Sequence, residues 1–276
     1  MQTILITGCS SGIGLDAAAT LRQRGWRVLA TCRLQDDCDW LASYGFESFQ
    51  LDYTSSSSIG YAFENAMSLS DGRIDALFNN GGHGQPGALE DVPRAGLRQI
   101  FETNVFGYHE LTNLVIPVMR RHGRGRIVNC SSLLGIVAVR WRGAYTATKC
   151  ALEGLSDTLR LELRDTNIHV CLLQPGQIET NFRLNSRAHF ESWISWEESV
   201  HSKWYRTVLV PRLYTENPMP NRYELQPSAV TKKLIHALES PRPRARYRIT
   251  TQSRMAAFLK WLLPTRMLDS ILAKRS

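Results

Sequence analysis

Short apolar runs alternate along this chain with longer stretches in which apolar residues recur every three or four positions. The runs are typical of buried strands, and the first six cover residues 3–7, 26–31, 47–51, 74–78, 126–130 and 168–173. Helical periodicity follows most of these runs. Strands that alternate with helices are typical of a parallel sheet, so the pattern predicts an α/β protein.

Two helical stretches and the later part of the chain add detail. Residues 93–121 have helical periodicity, and Pro117 within them predicts a kink. A second long helix is predicted from Ala144 onward, and its apolar stripe consists of Leu152, Leu155, Leu159 and Leu163. Further along, residues 227–239 predict a helix, residues 240–246 an exposed loop and residues 247–250 a last strand.

Composition and charge narrow the class of protein. The 276 residues are 43% hydrophobic and 21% charged, which predicts one globular domain over residues 1–276. Six scattered cysteines without a C-x-x-C pair indicate reduced thiols, and we assign no metal ligands. The net charge of +8 suits an anionic cofactor but forms no dense basic run, so nucleic acid is not an expected partner. Because strand-like residues begin at Thr3 without a basic leader, we expect a cytoplasmic protein.

A glycine-rich turn with the spacing G-x-x-x-G-x-G lies between the first predicted strand and the helix after it. Glycines let backbone amides approach a pyrophosphate, and a helix N-terminus favours negative charge. A tight connection without a ligand is the alternative, but the position favours dinucleotide binding and predicts a Rossmann-like, doubly wound parallel sheet with helices on both faces. The residues that would line the dinucleotide are Gly8, Ser10, Ser11, Gly12, Ile13 and Gly14.

The end of the second predicted strand carries Arg33, at the distance from the glycine turn where such folds contact the adenosine ribose. A carboxylate there would bind the 2′-hydroxyl of NAD, whereas a guanidinium suits a 2′-phosphate, so Arg33 favours NADP(H). The alternative is a solvated loop residue, with Asp36 and Asp37 nearby. At the end of the third strand an adenine could rest on Asp52 and Tyr53, although Asp52 could instead cap the next helix.

Polar residues at the ends of the next strands are candidates for chemistry. Ser132 follows residues 126–130, and Tyr145 and Lys149 share one face of the helix after it. We expect the Lys149 ammonium to lower the pKa of the Tyr145 phenol, which could then exchange a proton with a carbonyl or alcohol oxygen. Ser132 would donate a hydrogen bond to that oxygen. The alternatives are a surface pair and a simple turn.

Three further features bear on this site. Residues 79–82 (NNGG) form a polar turn at the same sheet edge, and we assign no role to His83 after it. Asn104 lies in a predicted helix although asparagine is a poor helix former, which indicates a polar network. The sixth strand ends in a segment that could hold a nicotinamide carboxamide through Pro175, Gly176, Ile178 and Thr180.

Together and in this order, the motifs resemble the short-chain dehydrogenase/reductase family. They are TGCSSGIG at 7–14, NNGG at 79–82, TNVFG around Asn104, Ser132, Y-x-x-x-K from Tyr145, and PGQIET at 175–180. The resemblance implies that Asn104, Ser132, Tyr145 and Lys149 are the catalytic set, that Tyr145 and Lys149 also contact the cofactor, and that Lys149 binds the nicotinamide ribose.

The resemblance also implies roles outside the catalytic set. Asn104 would hold a water in a proton relay, Asn80 would contact the cofactor, and Arg33 matches the pattern that prefers NADP. Gly81 departs from the family's usual alanine, which should loosen that turn.

Beyond residue 180 the chain is similar to the hydroxysteroid and retinol dehydrogenase branch and to bacterial NADP-dependent aldehyde reductases. This implies a small apolar carbonyl or alcohol substrate (an aldehyde, ketone, retinoid or steroid) and a homo-oligomer. The alternative is a protein that senses NADP(H) or acts as a scaffold without turnover. Residues 181–226 are interpreted as a substrate lid rich in aromatic residues, any of which could instead be core packing.

The C-terminal extension, residues 252–276, combines an apolar face with surrounding cations. It is too short to span a bilayer, which takes about 20 apolar residues. Docking onto protein, either the chain's own fold or a second subunit, is the favoured interpretation, and a membrane surface is the alternative.

Overall fold

The computed structural model describes residues 1–215 and 223–273. Its centre is a seven-stranded sheet in the order β3-β2-β1-β4-β5-β6-β7, and every adjacent pair is parallel. The strands are β1 (Thr3–Thr7), β2 (Arg27–Cys32), β3 (Glu47–Gln50), β4 (Ala76–Asn79), β5 (Gly125–Cys130), β6 (Ile168–Gln174) and β7 (Arg246–Arg248). The first six match the predicted strands to within two residues. The last was predicted at 247–250; it begins one residue earlier and ends two residues earlier, because Thr250 caps the helix that follows.

Helices cover both faces of this sheet. The α-helices of the described residues are α1 (Gly12–Gln23), α2 (Gln35–Ser43), α3 (Ser56–Leu69), α4 (Arg94–Phe101), α5 (Gly107–Arg121), α6 (Gly143–Glu162), α7 (Phe182–Trp193), α8 (Ser202–Trp204), α9 (Val210–Tyr214), α10 (Ser228–Glu239), α11 (Thr251–Leu262) and α12 (Thr265–Ala273). Ile4 and Ile6 of β1 pack with α1, α2 and α10, whereas Leu5 between them packs with α3, α5 and α6. Successive strand residues point to opposite faces, so the doubly wound, Rossmann-like α/β fold is confirmed.

The apolar face of α6 differs from its prediction at one position. Leu152 and Leu163 are buried and Leu159 packs against the same core, but Leu155 is exposed, so its place in the stripe is wrong. Ser156 is buried there instead, and its hydroxyl accepts a hydrogen bond from the Asn129 amide at 2.9 Å. A polar contact across the core therefore replaces one apolar contact.

The helix predicted over residues 93–121 contains an irregular turn. Residues Glu102–Phe106 form a π-helical segment between α4 and α5, and this segment contains Asn104. Such turns are frequent at functional sites. Pro117 lies inside α5, and the kink predicted for it stays a prediction.

An ion-pair cluster joins α6 to the edge of the sheet. The Arg246 guanidinium on β7 donates to the Glu153 carboxylate at 2.9 Å and to the Asp157 carboxylate at 2.5 Å. The other oxygen of Glu153 accepts from the Gln174 amide at 2.9 Å. Glu153 is buried, so its negative charge depends on these partners.

Replacing Arg246 with alanine should therefore lower the free energy of unfolding by about 2 to 3 kcal/mol, because Glu153 would be left buried without its cation. This is below the range for fully buried pairs because Arg246 is 30% exposed. Urea denaturation measures the change. The control is Arg164→Ala, which removes the solvent-exposed pair with Asp165 and should change little. Equal losses in the two variants would contradict the prediction.

The region interpreted as a lid forms a small core of its own. Phe190, Tyr205, Leu209 and Leu213 are buried together with Ala88. Core packing is therefore correct for Phe190 and Tyr205. Residues 216–222 of the region lie outside the described residues, and its role as a substrate lid stays a prediction.

The C-terminal helices dock onto the chain's own fold, as the favoured interpretation held. Leu259, Leu263 and Leu268 of this segment pack against Ile136 and Val137. Only one face of α11 and α12 is covered in this way. Residues 274–276, the last of the predicted extension, lie outside the described residues.

Candidate active site

The glycine turn after β1 has a backbone that other residues would not tolerate. Gly8 and Gly12 have φ values of +70° and +55°. A Cβ on Gly14 would lie 2.1 Å from the Gly8 carbonyl oxygen. Ser10 and Ile13 are half-buried beside the glycines, and Ser11, the N-cap of α1, makes no side-chain capping bond within the described residues. The turn therefore presents backbone amides and a hydroxyl at a helix N-terminus, which suits a pyrophosphate.

Asn80 supports this turn from the neighbouring strand. Its side-chain amide donates to the Thr7 carbonyl at 3.0 Å and to the Gly8 carbonyl at 3.3 Å. The backbone amides of Asn80 and Gly81 both donate to the Thr7 hydroxyl. Glycine in place of alanine at position 81 thus leaves these hydrogen bonds in place. Asn80 acts on a cofactor site through the position of the turn, and its predicted direct contact stays a prediction.

Arg33 directly follows β2 and is exposed. Burial is the main cause that lowers the pKa of His83, to about 3, and the charges of His189 and Arg33 lower it further. Burial and the charge of Arg33 also lower the pKa of His189 on α7. The charge of Arg33 therefore acts on both histidines.

The expectations for the end of β3 are only partly met. Asp52 does not cap α3, because Ser55 takes that position and accepts from the Ser58 amide. The Asp52 carboxylate instead accepts from Thr54 just before the helix. Tyr53 is buried, and its hydroxyl hydrogen-bonds with Thr7 and Asn79. Tyr53 is therefore a core residue, and the contact of an adenine with Asp52 and Tyr53 stays a prediction.

The segment after β6 lies across the glycine turn. The Thr180 methyl group would be 2.8 Å from a Cβ on Gly12, so the two loops are in contact. Pro175 accepts a hydrogen bond at 2.7 Å from the Leu133 amide, which follows Ser132. Ile178 packs against the core of the sheet, and a Cβ on Gly176 would meet the Thr250 hydroxyl oxygen at 2.3 Å. The four residues predicted to hold a nicotinamide thus border both the glycine turn and the loop of Ser132.

Ser132, Tyr145 and Lys149 meet at the carboxyl end of β5. The Ser132 hydroxyl caps a short 3₁₀ turn by accepting from the Leu134 amide at 3.1 Å. The Lys149 ammonium donates to the Cys130 carbonyl at 2.8 Å and lies 5.5 Å from the centre of the Tyr145 ring. The spacing from sequence therefore brings these three groups together as expected.

The pKa of Tyr145 beside Lys149 differs from the prediction. Burial raises the pKa of the Tyr145 phenol, the Cys130 thiol adds to this, and the Ser132 hydroxyl and the charge of Arg142 lower it only in part. The expectation that Lys149 lowers this pKa is wrong for this arrangement, because its ammonium is turned to the Cys130 carbonyl. Burial lowers the pKa of Lys149 itself to about 8.

Asn104 connects the polar turn at residues 79–82 to α6. Its amide donates to the His83 carbonyl at 2.9 Å and to the Thr148 hydroxyl at 3.3 Å, and its oxygen accepts from the His83 amide at 3.2 Å. A Cβ on Gly82 would lie 2.7 Å from that oxygen. The predicted polar network is confirmed, and the π-helical segment is what points Asn104 into it.

Sequence reasoning missed three side-chain contacts at this site. The Phe182 ring contacts the edge of the Tyr145 ring with centroids 5.4 Å apart. The Lys149 ammonium lies 5.4 Å from the centre of the Tyr108 ring. His83 stacks on His189 with ring centroids 3.4 Å apart. Of these, only Tyr108 had a signal, since it follows Asn104 by one helical turn.

Together these residues fit a dinucleotide that lies from Arg33 across the glycine turn to Lys149. Because Gly8 and Gly14 have no side chains, a pyrophosphate could approach the backbone of the turn closely. Tyr145 and Ser132 lie at the far end, where a phenol and a hydroxyl can both reach one oxygen atom. The arrangement can bind an anion, polarise a carbonyl and transfer a proton.

Comparison with known proteins gives three kinds of match. A family described as short chain dehydrogenase matches residues 2–190. The uncharacterized oxidoreductase YbbO of Escherichia coli (strain K12) is 39% identical over 276 residues, which cover 98% of this chain and 94% of that protein. Retinol dehydrogenase 8 of Homo sapiens is 31% identical over 255 residues, which cover 88% of this chain and 79% of that protein. The solved structure of an actinorhodin polyketide ketoreductase with NADPH matches with a TM-score of 0.71 at 28% identity, covering 89% of this chain and 94% of the other.

Proposed function

The chain belongs to the short chain dehydrogenase family of oxidoreductases, which use a nicotinamide cofactor, and we propose that it is an NADPH-dependent carbonyl reductase. Its substrate would be an apolar aldehyde or ketone, of retinoid or steroid type among others, reduced reversibly to the alcohol. The observation that carries the proposal is the convergence of Ser132, Tyr145 and Lys149 at the end of β5.

The nicotinamide would supply the hydride, and the chain's own residues handle the oxygen and the proton. Tyr145 donates its phenolic proton to the carbonyl oxygen, and Ser132 donates a hydrogen bond to the same oxygen. Lys149 would hold the nicotinamide ribose. Asn104 fixes the backbone of His83 and the hydroxyl of Thr148 on α6.

The raised pKa of Tyr145 bears on the pH dependence of the two directions of the reaction. A phenol whose pKa lies above its ordinary value stays protonated at neutral pH, and this is the form that donates a proton. Alcohol oxidation needs the phenolate instead. We therefore expect oxidation to become competitive only at alkaline pH.

The apolar substrate is supported by what surrounds the phenol. Phe182 covers one side of Tyr145, and half-buried Leu133 and Leu134 follow Ser132 on the neighbouring loop. An apolar group bound there would bury its surface against these side chains. A relative named for retinol, an apolar alcohol, points to the same class.

Cofactor preference tests the role of Arg33. We expect NADPH to bind about tenfold to a hundredfold more tightly than NADH, since a charge-assisted bidentate contact is typically worth about 1.5 to 3 kcal/mol. Arg33→Asp should reverse the order, because a carboxylate repels the 2′-phosphate and accepts from a 2′-hydroxyl. Titration of both cofactors against both proteins measures this. Arg98→Asp, on the exposed surface of α4, is the charge-matched control. An unchanged preference in Arg33→Asp would make Arg33 a solvated loop residue.

The test of the reaction is loss of NADPH absorbance with a panel of aldehydes, ketones and steroids. Turnover of apolar carbonyls supports the proposal. Tight NADPH binding with no turnover across the panel would overturn it in favour of a protein that senses the cofactor without reacting.

A further inference from the structure

The C-terminal helices α11 and α12 have two apolar faces, of which the fold covers one. The inner face packs against Ile136 and Val137. The outer face is open to solvent, and Trp261 is 80% exposed and Phe258 55% exposed. The other large apolar side chains exposed on this segment are Met255, Leu262 and Met267. A contiguous face of this kind on a protein surface marks an interaction site.

The C-terminal segment carries an excess of positive charge. Residues 251–276 contain Arg254, Lys260, Arg266, Lys274 and Arg275 and a single acid, Asp269. These charges sum to +4, which is half of the net charge of +8 of the whole chain. Arg254 and Arg266 are exposed, and the Lys260 ammonium donates to the Ile136 carbonyl. The face therefore combines aromatic residues with a local excess of positive charge.

The positive charge decides between two possible partners. In a two-fold symmetric dimer the same patch meets itself, so the cations of one copy would face those of the other. A bilayer with anionic headgroups has the complementary charge, and tryptophan and phenylalanine are well suited to its interface. Within the described residues, none of the helices is long and apolar enough to cross a bilayer, so the contact would be with its surface.

We propose that the outer face of α11 and α12 docks this protein onto the surface of an anionic lipid bilayer. The docked helices lie beside the candidate active site. Thr250, which caps α11, touches Gly176 of the segment after β6, and Lys260 holds the loop that follows Ser132. If the proposed function is correct, an apolar carbonyl dissolved in the bilayer would be presented close to the catalytic groups. The docking itself does not depend on that function.

Cosedimentation with vesicles tests the apolar part of the face. The wild-type protein should bind vesicles of phosphatidylcholine mixed with phosphatidylglycerol more strongly than vesicles of phosphatidylcholine alone. The double variant Phe258→Ser with Trp261→Ser should lose roughly tenfold or more of this binding, because two aromatic side chains no longer enter the interface. The matched control is Tyr61→Ser with Leu161→Ser, which removes two equally exposed apolar residues on α3 and α6.

A second pair of variants tests the charge. Arg254→Glu with Arg266→Glu lowers the net charge by 4 at the docking face, and Arg121→Glu with Arg164→Glu lowers it equally elsewhere. Only the first pair should weaken binding to the anionic vesicles, by roughly tenfold or more at low salt. These exposed side chains can change without loss of the core, and circular dichroism confirms that each variant is folded.

Three results would overturn the proposal. One is a wild-type protein that does not bind the anionic vesicles. Another is equal binding by the double variants and their matched controls. The third is a wild-type dimer in analytical ultracentrifugation that Trp261→Ser converts to a monomer, since the outer face would then be an interface between two copies. None of these measurements uses turnover, so they stand apart from the test of the reaction.

Discussion

Tyr145→Phe should remove most of the turnover of this protein while leaving its fold and its affinity for NADPH nearly unchanged. The substitution deletes only the phenolic hydroxyl, the group that would give its proton to the carbonyl oxygen. Positioned general acids contribute about 10²-fold to 10⁴-fold to a rate, and the loss should fall in that range. Single-turnover oxidation of NADPH with a reactive aldehyde measures it.

The control for this experiment is a second tyrosine near the same lysine. Tyr108→Phe keeps the ring that lies beside the Lys149 ammonium and removes only a buried hydroxyl. Turnover in this variant should stay close to that of the wild type. Near-normal turnover in Tyr145→Phe, or an equal loss in both variants, would rule out Tyr145 as the proton donor.

Lys149→Met should make the protein less active and more stable at the same time. Losing one preorganised cation at a reacting centre typically costs roughly 10²-fold to 10³-fold in rate. Burial lowers the pKa of Lys149 from 10.5 to about 8. At neutral pH the ammonium is still charged, and its burial therefore destabilises the folded state by about 3 kcal/mol. Methionine removes this charge but also loses the hydrogen bond to the Cys130 carbonyl, worth about 1 kcal/mol. The net gain in the free energy of unfolding should be about 2 kcal/mol.

The gain in stability from Lys149→Met should become smaller as the pH rises. Below pH 8 the lysine is protonated in the folded and the unfolded chain, so the full destabilisation is present. Between its folded pKa of about 8 and its ordinary value of 10.5, the unfolded chain binds more protons, so the wild type gains stability as the pH rises. The difference between Lys149→Met and the wild type should therefore shrink across this window.

Urea denaturation at pH 7 and pH 10 measures this difference. Lys260→Met is the control, because its ammonium also donates to a backbone carbonyl but belongs to an exposed residue. A stability gain in Lys260→Met equal to that in Lys149→Met, or a loss of stability in Lys149→Met, would contradict the interpretation.

Much of this architecture could be predicted because its signals are local in sequence. The run at residues 3–7 and the glycines after it predict a buried strand and a turn that no other residue could form. Tyr145 and Lys149 share a helix face by spacing alone. The parallel sheet then follows, because the carboxyl ends of such strands collect at one edge.

Features that depend on contacts between distant residues could not be predicted in this way. No spacing shows that Phe182 rests on Tyr145, since the two are joined only by the packing of α7. The raised pKa of Tyr145 depends on burial and on which atom Lys149 faces, and neither is visible in a motif. Leu155 was misplaced because a polar contact between Ser156 and Asn129 takes its position in the core.

The cluster of Arg246 with Glu153 also sets an order of events during synthesis. The two residues are 93 positions apart, so at about 5 to 20 residues per second the ribosome makes Arg246 roughly 5 to 20 seconds after Glu153 of α6. Until β7 emerges, β6 is the open edge of the sheet, with unpaired backbone groups and an apolar sequence. The newborn chain thus carries the candidate catalytic residues before Arg246 can neutralise the Glu153 carboxylate, and during this interval the edge of β6 is uncovered.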